Sequence, residues 1–86
     1  MDWPDDFDEL LRRHCRLLAA GNRVEPDAPL GSLGMDSLET VEFIVDIEDR
    51  FGIRLPDSML TPQVFATAAT VWRAVASLVA DPAARS

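Results

Sequence analysis

Cysteine and histidine, the usual ligands of structural zinc, each occur only once in this sequence of 86 residues. Its single cysteine, Cys15, cannot form an internal disulfide and indicates a reducing compartment. Together with the single histidine, His14, it supplies too few ligands for a structural zinc site, so we expect no metal. No catalytic group accompanies His14 in the sequence, and we predict that both residues lie in or beside the core, with no ligand role.

Long apolar runs and basic N-terminal segments are also missing. No run approaches the roughly 20 residues of a membrane span, and the first ten residues, MDWPDDFDEL, are acidic where a signal peptide would be basic. Lysine does not occur, and all eight positive residues are arginines. These features predict a cytoplasmic protein with no membrane partner.

The negative charge of the chain is concentrated in one segment. The net charge is −7, and the stretch from Asp36 to Arg50 sets six acids against one arginine: Asp36, Glu39, Glu42, Asp46, Glu48 and Asp49. Such a segment would repel the phosphates of nucleic acid and favours partners with basic surfaces. An acidic face that serves only solubility explains the same pattern, and the charge alone does not distinguish the two.

Hydrophobic periodicity predicts an all-α fold. We expect one domain over residues 1–86, in the form of a small four-helix bundle with three main helices and one short helix. The predicted bounds are residues 4–20, 37–51, 62–65 and 68–80, with a long loop over residues 21–36. Gly21, Gly52 and the pair Asp81-Pro82 mark helix ends, while Thr61 and Thr67 are predicted caps.

The helix over residues 37–51 has distinct sides when its residues are placed about 100° apart. Asp36 and Glu39 form a capping-box pattern in which each side chain would bind the backbone amide of the other. One arc is predicted to be buried: Thr40, Val41, Phe43, Ile44, Ile47 and Phe51. Opposite it lies an acidic stripe, Glu39, Glu42, Asp46 and Asp49, and Leu38 and Val45 border this stripe. An acidic stripe with an apolar edge is typical of a docking surface, although Leu38 and Val45 could equally be core residues.

Ser37 does not have the surroundings of a catalytic serine. The G-x-S-x-G elbow is missing, and His14 belongs to another predicted helix. We therefore predict no catalytic residue and no enzyme activity. A helix N-terminus does, however, offer backbone amides and partial positive charge to a modifying phosphate.

The segment LGMDSLETVEFIVDIEDRFGIRLPD, residues 33–57, resembles the acyl carrier proteins. The shared features are Leu33-Gly34, the tripeptide Asp36-Ser37-Leu38, the acidic helix and the pair Pro56-Asp57. The resemblance extends more loosely over residues 7–18, PDAPL in the loop and TAATVWRAV in the last helix.

This resemblance implies that Ser37, flanked by Asp36 and Leu38, is modified by a phosphopantetheinyl transferase. In the family, coenzyme A donates a 4′-phosphopantetheine arm to this serine, and the arm carries acyl groups as thioesters. The implied partners are this transferase and acyl-loading, condensing or tailoring enzymes with basic docking surfaces. The protein itself is expected to be a monomer. The implied docking residues are Leu38, Glu39, Glu42, Val45, Asp46, Glu48 and Asp49.

The cargo implied by the resemblance is an intermediate of fatty-acid, polyketide or related natural-product biosynthesis. An acyl chain would be sheltered between the second helix and Leu60 and Phe65. The segment LTPQVFAT, residues 60–67, is similar to free-standing carriers of specialised metabolism, including some that carry amino acids. Peptidyl carriers usually have glycine or histidine where Asp36 stands, which favours acyl cargo. Two alternatives stay open: an aminoacyl or peptidyl carrier, and an unmodified acidic interaction module.

Overall fold

Three α-helices form the framework of the protein. The computed structural model describes residues 3–19 and 21–84, and its α-helices are α1, Asp5–His14, α2, Ser37–Phe51, and α3, Ala68–Val79. Short 3-10 helices span Leu30–Leu33, Asp57–Met59 and Pro82–Ala84. The predicted all-α class is confirmed, and α2 has the predicted bounds. None of the helices in these described ranges is both long and apolar enough to cross a bilayer.

The first helix is shorter than predicted and ends at His14, whereas we expected it to continue to residue 20. Hydrogen bonding explains the early end. The amide of Leu17 donates to the carbonyl of Leu33 at 2.9 Å, and the amide of Leu18 closes a turn onto Cys15 at 3.0 Å. Leu17, which falls within the predicted bounds of this helix, is exposed. Residue 20, the predicted end, lies outside the described residues.

The short helix predicted over residues 62–65 is also wrong, because this segment forms hydrogen-bonded turns. Thr61 does act as a cap, since its hydroxyl accepts from the amide of Val64 at 3.2 Å. The carbonyl groups of Val64 and Ala66, however, accept hydrogen bonds from residues outside the segment. Thr70 Oγ1 donates to the carbonyl of Val64 at 2.8 Å, and the amide of Leu30 donates to that of Ala66 at 3.0 Å. The short helical element between α2 and α3 is instead the 3-10 helix Asp57–Met59.

An aromatic cluster joins the three helices. Phe7 of α1 is fully buried and contacts Trp72 of α3 and Phe43 of α2, with ring centroids 5.1 and 5.9 Å apart. Trp3 meets the edge of Phe7 at 5.8 Å, and Phe51 packs beside Trp72 at 5.9 Å. Aromatic pairs at these distances contribute beyond their buried area. Phe7 therefore links α1 to both other helices.

The long loop before α2 is fastened at both of its ends. Pro29 pairs with Thr67 in an isolated antiparallel bridge, and the amide of Ala69 donates to Pro26 at 3.1 Å, so the loop is tied to the start of α3. At the other end Gly34 adopts φ 95°, and a Cβ there would lie 2.8 Å from the amide nitrogen of Leu17. Both the positive φ and this close approach require glycine. The loop thus sets where α2 begins.

A polar clasp joins α1 to α2 beside the aromatic cluster. The buried His14 ring lies between two carboxylates, with Nδ1 2.9 Å from Glu39 and Nε2 2.6 Å from Asp46. Arg13 adds an ion pair to Asp46 at 3.4 Å, and Arg50 of α2 reaches back to Asp6 and Glu9 of α1. Buried polar groups need such partners, and His14 has one at each nitrogen.

We expect Phe7→Ala to lower the free energy of unfolding by about 3–5 kcal/mol, the usual cost of removing a buried aromatic ring. That is a large fraction of the stability of a small domain. Denaturant unfolding followed by circular dichroism measures the loss. Phe51→Ala is the matched control and should cost less, since Phe51 is only partly buried. Equal losses would contradict the central position of Phe7.

Asp46 should contribute stability that is lost in acid. The hydrogen bond from His14, with the added charges of His14 and Arg13, outweighs burial and lowers the pKa of Asp46 below its ordinary 3.8. Because the pKa of Asp46 is lower in the folded protein than in the unfolded chain, its contribution to stability is fully present above the ordinary pKa. The contribution disappears as the pH falls through the folded pKa. Asp46→Asn should therefore destabilise the protein at pH 7 by about 1 kcal/mol. The difference from wild type should shrink below about pH 4.

The exposed Asp49 provides the control for this experiment, because Asp49→Asn removes the same charge outside the clasp. Thermal unfolding from pH 2 to pH 8 should show almost no effect of Asp49→Asn. A difference between Asp46→Asn and wild type that stayed constant down to pH 2 would count against the clasp.

Candidate functional site

Ser37 is the first residue of α2 and is exposed. The residue before it performs the capping, since Asp36 Oδ1 accepts from the amide of Glu39 at 2.8 Å. Only this half of the predicted capping box forms, because the Glu39 side chain turns to His14 and does not return to the Asp36 amide. Among the described residues, no hydrogen bond engages the Ser37 hydroxyl. Its oxygen is therefore exposed beside the free amides of the first helical turn.

An open groove of about 560 Å³ runs beside Ser37. One wall comes from the start of α2, and the other comes from the segment after the 3-10 helix Asp57–Met59. Apolar side chains form much of its lining, and the Ser37 end is polar; the residues are Met35, Asp36, Ser37, Thr40, Ile44, Leu60, Thr61, Pro62 and Phe65. Leu60 and Phe65, which the resemblance implied would border an acyl chain, thus lie opposite α2 across a groove.

The solvent face of α2 carries an apolar ridge, which we define as Leu38, Val41 and Val45. Their exposed fractions are 67%, 58% and 56%, which is high for large apolar side chains. The exposure of Leu38 and Val45 agrees with the docking interpretation. The predicted burial of Val41, in contrast, is wrong, because the side of α2 that α1 covers is the side of Glu39 and Asp46. The spacing of three and four residues within the ridge was the signal for a shared face.

The acidic residues of α2 differ in their surroundings. Glu39 and Asp46 are partly buried against His14, whereas Glu42 and Asp49 are exposed. Glu48, one of the implied docking residues, accepts a hydrogen bond from the amide of Leu55 at 2.8 Å and so holds the chain after α2. Of the predicted stripe, Glu39 and Asp46 therefore make contacts within the protein, whereas Glu42 and Asp49 face solvent.

His14 and Cys15, the two residues considered as zinc ligands, are both buried. In the described part of the chain, one group of possible metal ligands occurs, with atoms of His14, Glu39 and Glu42 within 4.8 Å of one another. Both ring nitrogens of His14 already face carboxylates, which is the geometry of an ion pair. Burial, with the nearby charge of Glu39, raises the pKa of the Cys15 thiol to about 11, so it remains protonated and unreactive at neutral pH.

Sequence reasoning missed the partners of His14. Its position on the apolar side of α1 correctly indicated burial, yet a buried imidazole requires polar partners. Glu39 and Asp46, seven residues apart on α2, were available to supply them. The position of His14 across from them depends on how α1 crosses α2, which periodicity does not give.

Comparisons with known proteins agree with this geometry. A family model described as "Phosphopantetheine attachment site" matches residues 6–71. The mitochondrial acyl carrier protein of Dictyostelium discoideum is 40% identical over 38 residues, which cover 44% of this chain and 32% of that protein. The match thus spans about a third of the length of this curated relative.

A solved structure with a similar fold comes from Bradyrhizobium japonicum and is described as a glycine:[carrier protein] ligase complexed with glycylated carrier protein. The two chains share 25% identity with a TM-score of 0.64, and the match covers 81% of this chain and 99% of the other. The family model extends from α1 through α2 to the first turn of α3 and includes Ser37. The chain therefore belongs to the phosphopantetheine attachment site family, the family of the acyl carrier proteins, whose members are non-catalytic carriers.

Proposed function

We propose that Ser37 receives the 4′-phosphopantetheine arm and that the arm carries acyl groups as thioesters between enzymes. The observation that supports this proposal most directly is the division of labour at the start of α2. Asp36 caps the helix, while the adjacent Ser37 hydroxyl is exposed and has no partner among the described residues. A modified serine must be accessible and must not be needed for folding, and Ser37 satisfies both conditions.

Other serines within the matched region are less suitable. Ser32 and Ser58 are exposed but lie in 3-10 helices of four and three residues, which do not present the first turn of an α-helix. The amides and partial positive charge of the α2 N-terminus would stabilise the phosphate that links the arm to Ser37. Asp36 opposes this charge, so the phosphate would project toward solvent.

The transferase must supply the chemistry of attachment. A base that removes the Ser37 proton would have to lie beside it, and His14 is held between Glu39 and Asp46. Cys15 is buried with a raised pKa. The chain therefore acts as a substrate that is presented to other enzymes, and its own residues determine only which enzymes can approach.

Docking is the second part of the proposal. The apolar ridge lies beside Ser37 on α2, and Glu42 and Asp49 border it with exposed negative charge. An enzyme with a basic surface would be steered by the charges and held by the ridge. Such an interface is weakened by salt and releases readily, which suits a carrier that visits several enzymes. The predicted cytoplasmic location and monomeric state stay predictions.

Aminoacyl cargo is the second candidate. The supporting observation is the structural similarity to a chain from a complex that contains a glycylated carrier protein. The groove beside Ser37 supports acyl cargo, because its lining includes Met35, Ile44, Leu60 and Phe65. An apolar chain would gain from burial there, whereas a glycyl group would not.

Incubation with coenzyme A and a broad-specificity phosphopantetheinyl transferase should add one phosphopantetheinyl group, as measured by intact mass. Ser37→Ala should abolish the gain without unfolding the protein, because Asp36 remains as the cap. Ser32→Ala and Ser58→Ala are matched controls and should retain it. Absence of the gain in the wild-type protein would leave the unmodified interaction module as the function.

Thioester loading separates the two kinds of cargo. The arm-bearing protein should accept a medium-chain acyl group from a broad-specificity acyl-loading enzyme, and the thioester should raise the melting temperature by a few degrees as the groove is filled. A glycyl group, added by the Bradyrhizobium ligase with ATP and glycine, should not raise it. Efficient glycyl transfer together with failure of acyl loading would favour the aminoacyl carrier.

A further inference from the structure

The ridge and the acids of α2 follow one another around the helix. At about 100° per residue, the three ridge residues Leu38, Val41 and Val45 span about 60°. Asp49 and Glu42 occupy the next 40° or so, and Asp46 and Glu39 lie beyond them, where α1 packs. The acidic surface therefore has an outer edge, Glu42 and Asp49, and an inner edge, Glu39 and Asp46, which the clasp covers.

The contacts of the clasp suit a His14 ring that donates at both nitrogens. A neutral imidazole has one N–H group and one lone pair, so it can donate to only one carboxylate. Here both nitrogens lie within hydrogen-bond distance of carboxylate oxygens, at 2.9 and 2.6 Å. Both contacts are hydrogen bonds from the ring only when the ring carries two protons. Such a ring would place a positive charge directly against the inner edge.

The groups around the ring contribute to the same charge balance. Arg13 of α1 lies 3.4 Å from Asp46 and 3.6 Å from Glu9. A carboxylate oxygen of Glu42 lies within 4.8 Å of the nearest ligand atoms of His14 and Glu39 but forms no hydrogen bond with them. The thiol of Cys15 is protonated at neutral pH, and the Phe43 ring, 5.6 Å from the imidazole, closes the apolar side. His14 and Arg13 thus offset the two charges of the inner edge.

We propose that His14 is a positioning residue for partner recognition, which offsets the negative charge of Glu39 and Asp46 and leaves Glu42 and Asp49 as the exposed acids of α2 beside the ridge. This inference rests on the proposed carrier function and names the partner chemistry more closely. The surface fits an enzyme that presents basic side chains to the outer edge and an apolar contact to Leu38, Val41 and Val45. Glu42 and Asp49 are seven residues apart, so those basic groups should be about 10 Å apart.

The positively charged ring can be observed directly. Nitrogen NMR of the histidine ring at pH 7 should show two similar shifts, as both nitrogens carry protons. Widely separated shifts, which a neutral tautomer gives, would overturn the proposal. This measurement uses the unmodified protein and does not depend on whether Ser37 accepts the arm.

The recognition role is tested by the rate of Ser37 loading with coenzyme A and a broad-specificity phosphopantetheinyl transferase, at low and high salt. His14→Gln keeps one donor but removes the positive charge, which exposes the inner edge. The ratio of the low-salt to the high-salt rate should rise by about two- to fivefold, the effect of an added surface charge. Asp46→Asn in the His14→Gln background removes the released charge and should restore the wild-type ratio.

Arg23→Gln is the matched control, because it removes one positive charge whose ion pair is with Glu25 in the same loop. It should leave the ratio close to that of wild type. If His14→Gln fails to fold, Arg13→Gln replaces it, since Arg13 is exposed and acts on the same Asp46. An unchanged ratio in folded His14→Gln or Arg13→Gln, or an equal rise in Arg23→Gln, would reduce His14 to a structural role. Absence of loading in every variant would refute the attachment site, while the NMR result would still decide the charge of the ring.

Discussion

The hydrogen bonds of His14 hold the second helix in one rotation about its axis. The ring reaches from the last turn of α1 to Glu39 and Asp46, which lie two helical turns apart on α2. Because this side of α2 faces α1, the opposite side, with Val41, faces solvent. The groove, the ridge and the accessible acids are all defined by that rotation. A helix held only by Phe43 and Ile47 could accommodate a range of rotations, since apolar contacts are not directional.

The start of α2 follows a separate constraint, which comes from the loop. Gly34 permits the close approach of Leu17, and the chain then turns so that Asp36 meets the amide of Glu39. Capping by Asp36 makes the next residue dispensable for helix stability. Ser37 is accordingly fixed in position by the backbone while its side chain makes no contribution to the fold. This combination suits a residue whose hydroxyl is to be modified, because the modification then disturbs no existing interaction.

The sequence predicted the features that depend on local chemistry. The bounds of α2 and the cap at Thr67 follow from residues within one turn of each other, and both are confirmed. The errors involve contacts between distant segments. Leu17 ends α1 by bonding to Leu33, and Thr70 takes a carbonyl from the segment that was predicted to be helical. No pattern within either segment shows that its hydrogen-bonding groups have partners elsewhere.

The candidate site shows the same division. Capping by Asp36 was predicted correctly, but the helical periodicity grouped the acids of α2 as one stripe and assigned Val41 to the core. Charge and hydropathy locate a residue on a helix without showing what packs against it. A buried histidine reverses the usual expectation that acids face solvent, because it makes burial of Glu39 favourable. A family signature therefore identifies where a carrier is modified, whereas the face that its enzymes meet depends on a residue in another helix.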